Sequence, residues 1–201
     1  MTRNLYRLAS LVVLSAGITA CSPPAPPPPP PAPAAPEMSA VERGEYLVKV
    51  GLCNDCHTPW KMGPNGPEQD MERMLSGHPE SVKVTRPKLP ADWPVAANPT
   101  FTAWTGPWGI SYSANLTSDP ATGVGGGVWT EENFMRAMRE GKHMGTSRPI
   151  LPPMPWQWIG QHTDDDLKAI FAYLKTVKPI TNHVPDPLIV EGPPPPPPPA
   201  R

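Results

Sequence analysis

The chain has 201 residues with a formal net charge of −1, and 34 prolines and 16 glycines make up about a quarter of it. The prolines concentrate in Pro23–Pro36 and Pro193–Pro199, which leaves one globular domain, predicted over residues 39–187. The nearly balanced charge gives no indication of a nucleic-acid partner.

Residues 1–20 have the pattern of an export signal. Arg3 and Arg7 precede an apolar stretch, Leu8 to Ile18, and small residues follow it. The stretch is too short for a bilayer core of about 30 Å, which needs ~20 helical residues. We therefore expect a signal peptide rather than a permanent membrane span.

Ile18-Thr19-Ala20-Cys21 resembles the bacterial lipobox, which implies that Cys21 is acylated and becomes the mature N-terminus. The expected location is the periplasmic side of the cell envelope, held by a lipid anchor. Ser22, in place of an aspartate, favours the outer membrane. An ordinary cleaved signal with a free cysteine is the alternative.

Both proline-rich segments lie outside the predicted domain. Residues 21–38 carry the lipidated cysteine and a linker. As polyproline II, the fourteen residues Pro23–Pro36 would rise ~3.1 Å per residue, or roughly 40 Å in all. It would hold the domain away from the membrane. Residues 188–201 form a second proline-rich tail, to which the sequence assigns no function.

Helix signals occur in four places. A capping box at Ser39 and Glu42 begins a helix that runs into Cys53, with Gly44 on the face that another helix can approach closely. A second predicted helix is capped by Thr163 and carries apolar residues to Leu174, and a third is capped by Thr130 and stops at Gly141. A fourth helix, with a weaker signal, is predicted between Pro67 and Gly77.

Cys53-Asn54-Asp55-Cys56-His57 is a C-x-x-C-H motif, the attachment signature of haem c. Two thiols on a single turn can each add to one vinyl group of the haem, and the next imidazole then lies below the iron. A structural zinc site would need four ligands, but the chain has no second cysteine pair or closely spaced histidines. A thioredoxin-like redox pair would need a β-α-β setting, whereas here a helix precedes the motif and a loop follows it. One motif predicts one covalent haem c, with Cys53, Cys56 and His57 as its attachment and ligand residues.

The sixth iron ligand is open between Met154 and the adjacent pair His143 and Met144. Met154 is flanked by Pro152, Pro153 and Pro155, which restrict the backbone and can hold the thioether in place. His143 is the rival and would give a bis-histidine haem with a lower potential. The sequence favours Met154. Other candidates are set aside as core residues (Met135, Met138), weak candidates (Met62, Met71, Met74) or ordinary surface histidines (His78, His162, His183).

Between His57 and Thr130 the sequence shows almost no periodicity, so we expect a long loop insertion with little or no β-structure. A haem would supply the flat apolar surface that such loops need. The tryptophans expected to pack on it are Trp60, Trp93, Trp104, Trp108 and Trp129.

From about Val41 to Pro185 the chain resembles the class I c-type cytochromes, specifically bacterial mono-haem domains with a long insertion after the attachment site. The resemblance implies an all-α fold whose first and last helices cross near the haem, with His57 as proximal and Met154 as distal ligand. Its most specific stretches are Cys53–His57, Ala103–Gly109, Asn115–Thr117, Gly123–Trp129, Pro152–Trp156 and Asp166–Leu174.

These features predict a protein that transfers single electrons and is not itself an enzyme. An iron with both axial positions filled has no open site for oxygen or peroxide. A peroxidase-like haem enzyme is one alternative, but such cytochromes usually carry a second C-x-x-C-H. A haem subunit permanently docked on a dehydrogenase or oxidase is the other. The expected partners are redox proteins of these kinds and the membrane.

Overall fold

The computed structural model describes residues 38–190. The predicted signal peptide, Cys21, nearly all of the proline-rich linker and the Pro193–Pro199 tract lie outside the described residues, so these interpretations stay predictions.

The described chain contains both helices and strands. The helices are α1 (Ala40–Val50), α2 (Cys53–His57), α3 (Glu131–Glu140), α4 (Trp156–Ile159) and α5 (Asp164–Leu174), with 3₁₀ turns at Met71–Arg73 and His143–Gly145. The strands are β1 (Trp60–Gly63), β2 (Gly66–Gln69), β3 (Ala96–Ala97), β4 (Ala103–Gly106), β5 (Gly109–Tyr112) and β6 (Leu188–Ile189).

Helix α1 begins at the predicted capping box. The Ser39 hydroxyl accepts from the Glu42 N–H, and the Glu42 carboxylate accepts from the Ser39 N–H. The helix packs against α5, where a Cβ on Gly44 would lie only 1.9 Å from the Ala169 carbonyl oxygen. The predicted close approach at Gly44 is therefore confirmed, and it fixes the crossing of the first and last helices.

Helices α3 and α5 also follow their sequence signals. Thr130 and Thr163 accept hydrogen bonds from the N–H groups of Asn133 and Asp166, and Gly141 ends α3 in the left-handed conformation. Their apolar faces meet α1 in the main core, where the Phe134 and Phe171 rings stack 5.3 Å apart. The core also contains Leu47, Val48, Leu75, Val124, Ala137, Met138, Leu167, Ile170, Leu174 and Val177.

The expectation of an all-α fold with little or no β-structure was wrong. Strands β1 and β2 form an antiparallel hairpin, and β3, β4, β5 and β6 form a four-stranded antiparallel sheet in that order. The predicted helix between Pro67 and Gly77 is also wrong, since this segment holds β2 and a 3₁₀ turn. Part of the predicted loop insertion is thus organised by strand pairing.

The strands escaped prediction because they are two to four residues long, too short for an alternating pattern to emerge. Strand β6 joins the sheet from the far end of the chain, with Ile189 opposite Gly109. Gly109 permits this contact because it has a φ of +112° and a Cβ there would overlap the Leu188 carbonyl. Within residues 38–190 no helix has the length and apolar character required to cross a membrane.

Candidate haem-binding site

Helix α2 carries the whole C-x-x-C-H motif on slightly more than one turn. The predicted first helix does not run unbroken into it: α1 ends at Val50, and Leu52 adopts a left-handed conformation with a φ of 55° before α2 begins. Cys53 and Cys56 are both half-buried and are not joined in a disulfide. Two free thiols therefore lie three residues apart on one turn of α2, where both can react with the same group.

The His57 side chain is buried, and its Nδ1 lies 2.8 Å from the Ala114 carbonyl oxygen. Because a carbonyl can only accept, Nδ1 carries the proton and Nε2 holds the lone pair that could bind a metal. Burial lowers the pKa of His57, while the hydrogen bond to Ala114 opposes this shift. The ring is thus held as a neutral imidazole in the tautomer that an iron ligand requires.

Further hydrogen bonds fix the end of α2. The Ser113 hydroxyl donates to the Cys56 carbonyl at 2.5 Å, and the Gly77 N–H donates to the His57 carbonyl at 2.8 Å. Just beyond the helix, the Thr58 hydroxyl accepts from the Leu75 N–H at 2.9 Å. These bonds satisfy groups that a helix terminus leaves unpaired, and they hold His57 rigidly.

The electrostatics of the thiols argue against a dithiol redox centre. Burial raises the pKa of Cys53 to about 11, and burial together with Asp55 raises that of Cys56. Catalysts of thiol–disulfide exchange need a thiol whose pKa is depressed, because the thiolate is the nucleophile. Protonated thiols on one turn suit a structural attachment point.

Met154 lies in the loop between the 3₁₀ turn at His143–Gly145 and α4. It is partly buried and packs against the main core, as does Cys53. At the start of this loop, the Ile150 N–H donates a hydrogen bond to the Gly141 carbonyl at 2.8 Å. The structure therefore brings the predicted thioether and one attachment thiol to the same apolar cluster, while the choice of Met154 as ligand remains a prediction.

His143 is half-buried, with its ring edge-on to Trp129 at a centroid distance of 5.4 Å. Its Nδ1 lies 3.4 Å from the Ser147 hydroxyl, and burial and the charge of Arg148 lower its pKa. Trp129 itself packs against the main core.

The other methionines and histidines divide by burial. Met138 is in the core and Met135 packs against it, as predicted, whereas Met62 and Met71 are exposed. The interpretation of His78 as a surface residue was wrong. It is fully buried, with Nδ1 against the Thr102 hydroxyl and Nε2 against the Val82 carbonyl, both at 2.9 Å.

The residues present fit a covalently attached haem. Two free thiols and an imidazole with Nε2 unprotonated supply the attachment and ligand chemistry. Apolar side chains that pack, like Cys53, against the main core are only partly buried, and a macrocycle could cover them. These side chains are Met74, Leu116, Trp129, Met135, Ile150 and Met154. Among residues 38–190 no three His, Cys, Asp or Glu side chains cluster as a separate metal site.

Sequence reasoning missed Ala114 and Ser113, which hold His57 and the end of α2. Ala114 acts through its carbonyl, a group that every residue has, so no sequence signal could single it out. Ser113 follows Ser111 at the spacing of one strand face, which could have indicated a strand directed toward the site. Of the five tryptophans, Trp129 packs on the core, whereas Trp93 is exposed.

Comparison with known proteins gives independent support. No family model matches the chain. It is 28% identical over 73% of its length to the cytochrome c subunit of a quinone-type alcohol dehydrogenase from Gluconobacter oxydans. It is also 29% identical over 70% of its length to the cytochrome subunit of a fructose dehydrogenase from Gluconobacter japonicus.

One subunit of a nicotinate dehydrogenase from Pseudomonas putida is 28% identical over 90% of the chain. These similarities support a cytochrome c domain. The matched region covers only 12%, 24% and 22% of the nicotinate, alcohol and fructose dehydrogenase subunits, so the chain spans less than a third of each.

Proposed function

We propose that the chain is a single-haem c-type electron-transfer protein of the class I kind, with thioether bonds at Cys53 and Cys56 and with His57 and Met154 as axial ligands. When bound, haem c supplies a one-electron couple between ferric and ferrous iron. The protein would hold this group between two fixed ligands and limit access of small oxidants to the iron.

The observation that carries the proposal is the His57 imidazole. It is buried on the same short helix as two unpaired thiols, and its Nδ1 is committed to Ala114. A buried ring with this hydrogen bond is oriented before any ligand arrives, and its Nε2 is more basic as a result. Neither a zinc site nor a dithiol catalyst requires this combination.

The proposed redox partner is a dehydrogenase. The relatives named above are subunits of dehydrogenases that are named for different substrates: nicotinate, alcohol and fructose. Two of these subunits are named as cytochrome subunits. The part shared with this chain therefore concerns electron transfer rather than a particular substrate. We infer that the protein accepts electrons from a dehydrogenase, to which it is docked or tethered nearby, and catalyses no substrate conversion itself.

We further propose that the domain lies on the periplasmic side of the envelope, attached through acylated Cys21 and the proline-rich linker. Cys21→Ala should move the cytochrome from the membrane fraction to the soluble periplasmic fraction, with its absorption spectrum unchanged. Membrane association of Cys21→Ala equal to that of the unaltered chain would exclude the lipid anchor.

The haem content is tested on protein matured in a host that attaches haem c. The pyridine haemochrome should report one covalent haem per chain, and the visible spectrum should be six-coordinate and low-spin. A high-spin spectrum that changes on adding peroxide would favour the peroxidase-like enzyme instead. A colourless, folded protein would refute haem binding altogether.

The sixth ligand is tested by a matched pair of variants. Met154→Ala should abolish the sulfur-to-iron(III) charge-transfer band, because the thioether is its source, while His143→Ala should keep it. Magnetic circular dichroism distinguishes the remaining ligand sets. The reverse result would assign the sixth position to His143.

A further inference from the structure

One side chain of the four-stranded sheet, which the sequence did not predict, holds the Met154 loop. The Ser111 hydroxyl, on β5, donates to the Pro152 carbonyl at 2.5 Å. Ser111 is itself buried and accepts from the Trp108 indole N–H at 3.3 Å. The Ser111 hydroxyl hydrogen is thus directed toward the loop, while one of the two lone pairs of its oxygen accepts from Trp108.

The loop has few other hydrogen bonds. Three of the five residues from Leu151 to Pro155 are prolines, which have no N–H to donate. The Met154 N–H bonds within the loop, to the Leu151 carbonyl at 3.3 Å. Among residues 38–190, Ser111 supplies the one hydrogen bond that ties residues 151–154 to another part of the chain.

The segment that directly follows β5 reaches the other side of the site. Two and three residues beyond Ser111, the Ser113 hydroxyl holds the Cys56 carbonyl and the Ala114 carbonyl holds the His57 ring. Three residues of extended chain span roughly 10 Å. The segment from Ser111 to Ala114 therefore bonds both to the helix that bears His57 and to the loop that bears Met154.

We propose that Ser111 is a positioning residue for Met154. By fixing the Pro152 carbonyl, it limits the movement of the thioether away from the iron and so sets how easily another ligand displaces it. This inference rests on the proposed His57 and Met154 ligation. It assigns to the sheet a role in holding the two ligand-bearing elements at a fixed separation.

The test compares the unaltered holoprotein with its variants by imidazole titration of the ferric form. Ser111→Ala removes the donor. Thr105→Val is the matched control, because the Thr105 hydroxyl is equally buried in the same sheet but bonds to the Gly109 carbonyl, away from the loop. A net hydrogen bond of about 1 kcal/mol corresponds to a roughly fivefold change in an equilibrium.

We expect Ser111→Ala to bind imidazole about fivefold more tightly, with a weaker sulfur-to-iron(III) band, and Thr105→Val to stay within about twofold of the unaltered protein. Ser111→Thr, which keeps the hydroxyl, should restore the unaltered affinity. If Ser111→Ala gives no holoprotein, Ser111→Cys provides the comparison with a weak donor.

Equal imidazole affinity in Ser111→Ala and Thr105→Val would overturn the positioning role and leave the haem assignment intact. Absence of the sulfur band from the unaltered protein would instead refute ligation by Met154, and the role of Ser111 with it.

Discussion

The crossing of α1 and α5 at Gly44 gives the sharpest stability prediction. A Cβ at this position would lie 1.9 Å from the Ala169 carbonyl oxygen, whereas ordinary contacts begin at 3.4 Å, so the helices would have to separate by about 1.5 Å. The obstacle is backbone and cannot rotate away. Overpacking of this kind costs ~1–3 kcal/mol, and the better helix propensity of alanine recovers only ~0.5–1 kcal/mol.

We therefore expect Gly44→Ala to lose about 1 kcal/mol of unfolding free energy, which lowers the Tm by roughly 2–4 °C for a domain of this size. Thermal unfolding of the holoprotein, followed by far-UV circular dichroism and by haem absorbance, measures the effect. Gly127→Ala is the control, because a Cβ there meets nothing within 4 Å. A Gly44→Ala variant as stable as Gly127→Ala would refute the packing argument.

The remaining predictions concern covalent attachment and acid stability. A Cys53→Ser, Cys56→Ser double variant should release its haem into acidified solvent, while the unaltered protein retains it. Arg43, whose Nε lies 2.9 Å from the Asp166 carboxylate, lowers the pKa of Asp166. The ion pair therefore stabilises the fold fully above the ordinary pKa of 3.8, and this stabilisation is lost as the pH falls through the lowered pKa. Arg43→Met should be less stable than the unaltered protein at pH 7 but should lose less stability on acidification. Burial lowers the pKa of His78, so the unfolded chain binds more protons and stability should fall as the pH drops below 6.5. Denaturant titrations at pH 7 and pH 5 should show a smaller difference for His78→Gln, and an unchanged difference would contradict this.

Much of the helical framework could be predicted from local signals. The caps at Ser39, Thr130 and Thr163 each form the bond that the residue type implies, because a cap involves only residues three positions apart. Gly44 was likewise identified from its place on the apolar face. The strands could not be predicted, since β5 pairs with β6 across almost eighty residues and neither strand is long enough to show a pattern.

The candidate site divides in the same way. The sequence by itself determined the attachment chemistry, because Cys53, Cys56 and His57 are adjacent on one turn and their spacing is a local property. Only the tertiary structure decided which groups orient His57 and the Met154 loop. The Ala114 carbonyl sets the His57 tautomer, and the Ser111 hydroxyl bonds to Pro152 in the Met154 loop, forty-one residues away. Such partners are backbone groups or single hydroxyls brought near by chain folding, so their roles depend on distance in space, which residue type alone does not encode.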